Sequence, residues 1–229
     1  MTIYPASCAS DDLIQRVAAN LADVRQRITA SGRALDEIRI VAVTKTFSTA
    51  EVRAARSVGL SAVGENYVDE LAQKREQCED LGLRWHYLGA LQTNKIARVA
   101  QIADVLCGVS RAREIDRIAT ARAGTSIYVQ VDFTRSAQRN GAPAREVASL
   151  VQRARDVGLY VRGLMTVAPV EPDRARQAFV ATDRLCDDLG LVERSMGMTN
   201  DLEMACECGS SEVRVGRALF GPRDVPAAT

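Results

Sequence analysis

Apolar and polar positions switch between two periods along this chain, and the switch repeats. Residues 10–30, which include DDLIQRVAANLADVRQRITA, set their apolar side chains at helical spacing and predict an opening helix. From there short β-like runs alternate with helical ones. The runs are IRIVAVT (38–44), SAVGEN (61–66), RWHYLG (84–89), ADVLCGV (103–109), SIYVQVD (126–132), YVRGLMTV (160–167), RSMGM (194–198) and EVRVG (212–216). IRIVAVT is rich in β-branched residues, as expected of a strand buried on both faces; RSMGM is the faintest pattern of the eight. Between them TAEVRAARSVG, VDELAQKREQCEDLG, EIDRIATARAG, PAREVASLVQRARDVG and DRARQAFVATDRLCDDLG read as helices. Several end in Gly, a common helix stop.

Eight strand-plus-helix units in about 190 residues match a single (β/α)8 TIM-type barrel with an extra N-terminal helix, a fold that runs as short as about 200 residues. The expected organisation is one domain over residues 1–229, with the helix at about 10–30 and the barrel at about 38–223. An open doubly wound sheet is the structural alternative, but no G-x-G-x-x-G follows the first strand.

Charge and composition narrow the function. Thirty basic residues against 29 acidic ones leave a net charge of +1, which gives no electrostatic footprint for nucleic acid or an anionic membrane. No apolar run approaches the ~18 residues of a transmembrane helix. The start MTIYPASCASDDL has neither a basic leader nor an apolar core, so a soluble, cytoplasmic protein is expected. The six cysteines (Cys8, Cys78, Cys107, Cys186, Cys206, Cys208) are scattered, and C-E-C has neither redox nor usual zinc spacing. They read as packed or surface thiols, Cys206 and Cys208 behind the eighth strand. His86 is the single histidine, which removes a histidine-rich metal site and every serine triad not built on His86. Flanked by Trp85 and Tyr87, it reads as strand-three packing.

Barrel enzymes work at the carboxyl ends of their strands. The polar residues that follow the strands here are Lys45, Glu65-Asn66, Gln92-Thr93-Asn94-Lys95, Asp132, Thr166, Thr199-Asn200 and Arg217. Lys45 has two readings: an ammonium that snorkels to solvent or pairs with Glu65, or a desolvated amine acting as a Schiff-base nucleophile. The Ser48-Thr49 pair after it is suited to cap a helix. SMGMTNDLE (195–203) and VRVGRALFG (213–221) occupy the places where barrels commonly bind phosphate, after strands seven and eight. A Schiff-base lysine after strand one, opposite such a cup, describes a site for pyridoxal 5′-phosphate (PLP). Gln92 to Lys95 either floor this mouth or cap the next helix. Lys95 is a candidate second amine or a positive charge near the phosphate. The basic segment 134–145 reads as solvated surface, with partner docking as the alternative.

TKT (44–46), VGENYVDE (63–70), WHYLGALQTNK (85–95), RGLMTV (162–167), SMGMTNDLE and GSSEVRVGRALFG (209–221) resemble the signature blocks of the PLP homeostasis protein family, also called proline synthase co-transcribed homologues. The blocks keep family order over residues 38–223. The family resembles the barrel domain of alanine racemase without its second, β-rich domain. The resemblance implies that Lys45 holds PLP as an internal aldimine and that Asn66 lines the cofactor's face. It implies that Ser195 and Thr199 contact the phosphate through side chains, that Gly216 and Arg217 donate backbone N–H groups to it, and that Arg214 faces the pyridine nitrogen. Ala90 stands where proline is usual, Asn200 where an acidic or small residue is common, and Arg217 where threonine is common.

Opposite the ring nitrogen an arginine, charged at every relevant pH, disfavours a pyridinium and weakens PLP as an electron sink. The tyrosine that the racemase's missing domain supplies has no clear counterpart; Tyr67 is the nearest candidate. The expectation is therefore a monomeric PLP holder in PLP homeostasis, with PLP and apo PLP-dependent enzymes as partners. Two alternatives are a minimal racemase or lyase with Lys45 as sole base, and a cofactor-free Schiff-base aldolase.

Overall fold

The computed structural model describes residues 8–134 and 140–222. Ser10 starts helix α1 (Asp11–Ala30) by accepting the Leu13 N–H at 3.2 Å, with Asp11 and Asp12 in the first turn and Arg27 in the last. Leu13, Val17, Leu21, Val24 and Ile28 form its buried stripe. Each such side chain contributes about 1.5–3 kcal/mol when taken out of water.

Eight parallel strands follow: β1 (Arg39–Val43), β2 (Ala62–Glu65), β3 (Arg84–Tyr87), β4 (Val105–Val109), β5 (Ser126–Asp132), β6 (Tyr160–Thr166), β7 (Glu193–Ser195) and β8 (Glu212–Val215). Each pairs with the next, and β8 pairs with β1 through Arg39↔Glu212 to Ala42↔Val215, so the sheet closes. A two-residue strand, Ala142–Pro143, adds to the end of β5. Between the strands lie α2 (Thr49–Ser57), α3 (Val68–Gln77), α4 (Ile96–Ile102), α5 (Ala112–Ala121), α6 (Ala144–Asp156), α7 (Pro172–Asp188) and α8 (Leu202–Glu207), with α9 (Arg217–Phe220) after β8. The expected barrel and its extra helix are both present. Helix α1 packs outside the barrel against α2, α8 and α9.

β7 is shorter than its predicted segment because Gly197 turns the chain at φ +93°. A Cβ there would sit 2.6 Å from that of Ala205, so only glycine fits the turn. Met196 still donates to the Glu212 carbonyl at 3.0 Å, and Gly197 accepts the Arg214 N–H at 3.0 Å, so the segment follows β8 without extending the strand.

The lower barrel interior is ionic. Arg39 reaches Glu193 at 2.9 Å and Glu212 at 3.2 Å, Arg162 also pairs with Glu193, and Tyr128 donates to both glutamates. Burial lowers the pKa of the fully buried His86, opposed by Glu212, and places it with Trp85 and Tyr87 in the core as expected. Cys8 is exposed and the other five cysteines are buried; burial pushes the Cys107 thiol well up, away from reactivity. Among the described residues no helix is long and apolar enough to cross a membrane. Residues 135–139, the middle of the basic segment 134–145, lie outside the described residues.

Candidate active site

β1 ends at Val43, the fully buried Thr44 follows, and the chain leaves the barrel as Lys45. Thr46 adopts φ +67°, the one positive φ outside glycine among the described residues. Ser48 then caps α2: its hydroxyl accepts the Ala50 N–H at 3.1 Å while Glu51 returns to the Ser48 N–H at 2.8 Å. The ring of Phe47 lies 5.2 Å from that of Phe220 in α9, tying the loop after β1 to the loop after β8; such a pair contributes about 0.5–1.5 kcal/mol beyond its area.

At the carboxyl ends of the strands is a cavity of about 600 Å³. Lys45, Asn66, Thr199, Arg214, Gly216 and Arg217 all line it. A groove of about 650 Å³ lies outside the barrel along α7, lined by residues such as Gln177, Val180 and Arg184. It contains none of the strand-end groups, so the chemistry belongs to the mouth.

Part of the cavity lining is backbone. The N–H groups of Thr199, Asn200, Gly216 and Arg217 find no acceptor within the protein among the described residues. A Cβ on Gly216 would sit 3.0 Å from the Val43 carbonyl oxygen, a crowded approach that glycine relieves. This set of unused donors is the chemistry an oxyanion requires. Helix α1 braces the wall from behind. Arg27 pairs with Glu203 at 2.5 and 2.7 Å and donates to the Thr199 carbonyl at 2.8 Å; Asn20 donates to the Leu219 carbonyl at 2.8 Å.

Arg214 is fixed at the cavity floor. Its guanidinium donates to the Ser195 carbonyl at 2.5 Å, the Ser195 hydroxyl at 2.8 Å and the Thr166 carbonyl at 2.8 Å. Burial lowers its pKa, opposed by the charge of Glu212.

Ser195 corrects an expectation. It does not line the cavity; it is fully buried, and its hydroxyl donates to Glu212 at 2.8 Å while accepting from Arg214. As the last residue of β7 it points into the barrel, beneath Arg214, and so supports that side chain. Glu65 is likewise engaged from within the fold: Thr44 donates to its Oε1 at 2.6 Å and Lys74 at 2.9 Å. Burial pushes this carboxyl up to about 7, with Lys74 opposing.

Gln92 to Lys95 do not line the cavity. Gln92 accepts the Lys95 N–H at 2.8 Å in a turn that leads into α4. Tyr67 is exposed and also off the cavity. The apolar side formed by Val167, Ala168, Pro169, Val170 and Met198 was not anticipated. Its sequence signal was the apolar run V-A-P-V continuing past the sixth strand, which reads as strand or loop equally well.

A closed parallel barrel with a lysine after its first strand and unused backbone donors after its last two defines a class, and comparison with known proteins agrees. The sequence profile described as alanine racemase, N-terminal domain, matches residues 14–224. The alanine racemase of Corynebacterium glutamicum shares the fold, with TM-score 0.71 at 16% identity over 94% of this chain and 63% of that one. The pyridoxal phosphate homeostasis protein of Pseudomonas aeruginosa is 34% identical over 224 residues, 94% of this chain and 97% of that protein. PipY of Synechococcus elongatus, solved with PLP bound, superposes with TM-score 0.78 at 26% identity, over 90% of this chain and 100% of that one. The chain belongs to the pyridoxal phosphate homeostasis protein family, within the alanine racemase N-terminal class.

Proposed function

We propose that this chain binds PLP at the barrel mouth and serves in PLP homeostasis rather than in a committed amino-acid reaction. One observation carries the reading: a primary amine and a set of backbone donors, which find no acceptor among the described residues, line the same cavity of about 600 Å³. An amine and an oxyanion-binding set of N–H groups in one cavity fit a phosphorylated aldehyde.

In this reading Lys45 Nζ bonds to the aldehyde carbon with loss of one water. The N–H groups of Thr199, Asn200, Gly216 and Arg217 receive the phosphate, Asn66 lies along the ring, and Arg214 faces the ring nitrogen. When bound, PLP supplies an electrophilic carbonyl and an electron-accepting ring, and a fixed guanidinium at the nitrogen mutes the second property.

Holding is favoured over racemase or lyase chemistry by the cavity's inventory. Its titratable lining groups, among the described residues, are Lys45, Asp201, Arg214 and Arg217. Asp201 already accepts the Met198 N–H at 2.6 Å. The described lining holds no histidine or tyrosine to serve as a second base. Release to apo PLP-dependent enzymes then needs only hydrolysis, or exchange of Lys45 for an incoming amine, and we take the chain to act as a cytoplasmic monomer. The test is spectroscopic titration: PLP added to the purified protein should give the imine absorbance with saturation at one equivalent. Proton exchange at the α-carbon of an amino acid at an enzymatic rate, lost in Lys45→Ala, would favour the racemase or lyase reading.

A further inference from the structure

The chain has three lysines, Lys45, Lys74 and Lys95, among its 30 basic residues. Lys74 lies outside the cavity yet is fully buried, on α3 one turn after Glu70. Its ammonium donates to Glu70 Oε1 at 2.6 Å, to Glu65 Oε1 at 2.9 Å and to the carbonyl of Thr44 at 2.6 Å. Glu70 Oε1 also accepts the N–H of Thr46 at 2.6 Å. The peptide group before Lys45 and the peptide group after it are thus both tied to one buried cluster.

That arrangement explains the backbone at Thr46. A β-branched residue in the left-handed region is an outlier that persists only where its surroundings impose it. Here the imposed contact is the Glu70 bond, since Thr46 itself is exposed. The cluster is costly to keep: two carboxyl groups face one ammonium, and Glu65 Oε2 and Glu70 Oε2 have no hydrogen-bond partner among the described residues. Buried ion clusters contribute little net stability, because desolvation offsets their attraction. What this one provides is a fixed place for the turn.

We propose that Glu70 and Lys74 are positioning residues, which hold the Thr44–Lys45–Thr46 turn so that the Lys45 amine is presented to the cavity, and which thereby set the chain's affinity for PLP. The inference rests on the reading of Lys45 as the PLP-bonding amine. Glu70→Ala removes the acceptor for Thr46 N–H, whereas Glu70→Gln keeps an Oε1 that accepts from both donors. Thr46→Pro, at an exposed position, removes the N–H and forbids the positive φ without touching the core.

The experiment titrates PLP into wild type and these three variants, titrates inorganic phosphate in parallel, and follows hydrogen exchange at the Thr46 amide without PLP. Glu70→Ala and Thr46→Pro should weaken imine formation about tenfold or more, the scale of a left-handed residue's penalty. Glu70→Gln should stay within about threefold of wild type, and phosphate affinity should be unchanged throughout. Thr46 exchange should accelerate in Glu70→Ala. Wild-type affinity in Glu70→Ala, no rescue by Glu70→Gln, or a parallel loss of phosphate affinity overturns the proposal. Absence of an imine in wild type would sink the functional reading instead, and the exchange data would still judge the clamp.

Discussion

Replacing Arg214 by methionine probes how the cavity floor is built. Met occupies much of the same volume but offers no donors. The Ser195 carbonyl, the Ser195 hydroxyl and the Thr166 carbonyl each lose a bond of 2.5–2.8 Å in a site only 5% exposed. Glu212, linked to Arg214 through the Ser195 hydroxyl, loses one nearby charge but keeps its ion pair with Arg39 at 3.2 Å. An orphaned buried acceptor costs about 1–3 kcal/mol. The lost bonds belong to one network and overlap, so the expected loss is about 4 kcal/mol, a large share of the 5–15 kcal/mol typical of a folded domain. Urea denaturation without PLP reads this directly. Ser195→Ala alone should cost about 1–2 kcal/mol, and the double variant less than the sum, because the residues share one network. An Arg214→Met protein within about 1 kcal/mol of wild type would refute the reasoning.

Two further predictions concern the flanks of the site. Burial raises the Glu65 carboxyl from its ordinary value of 4.5 to about 7, so the folded chain holds that proton more tightly than the unfolded one. The resulting stability is present below 4.5 and lost as pH rises through about 7. Wild-type stability minus that of Glu65→Gln, measured by urea melts from acid to mildly alkaline pH, should therefore fall with rising pH; a flat difference would contradict it. Arg27→Ala removes a half-exposed ion pair and the bond to the Thr199 carbonyl. It should cost only about 1 kcal/mol of global stability yet weaken inorganic phosphate binding several-fold by calorimetry, and unchanged phosphate affinity would remove α1 from the role of brace.

Much of the fold was legible because a β/α barrel writes two periods into its sequence. Lys45, Asn66, Thr199, Gly216 and Arg217 were legible as lining of the mouth because each follows a strand, where the fold places its mouth, whereas Arg214 was reached only through the family resemblance. Ser195 was misplaced for a physical reason: strand ends alternate inward and outward, and one residue of register decides whether a hydroxyl meets ligand or core. The Glu65–Glu70–Lys74 cluster was invisible for another. Glu70 and Lys74 at i, i+4 spacing on a helix read as a solvated pair; only the packing of α3 beneath the loop after β1 buries them. The brace from α1 was equally hidden, since Arg27 and Glu203 stand far apart in sequence and meet only once the barrel closes.

Borohydride reduction of the protein mixed with PLP, followed by peptide mass spectrometry, tests the central claim most directly. With three lysines in the chain the assignment is unambiguous. The adduct is predicted on the peptide carrying Lys45, and its formation should be lost in Lys45→Ala. An adduct on Lys95, or none on any lysine, would contradict a site built around the amine at the end of β1.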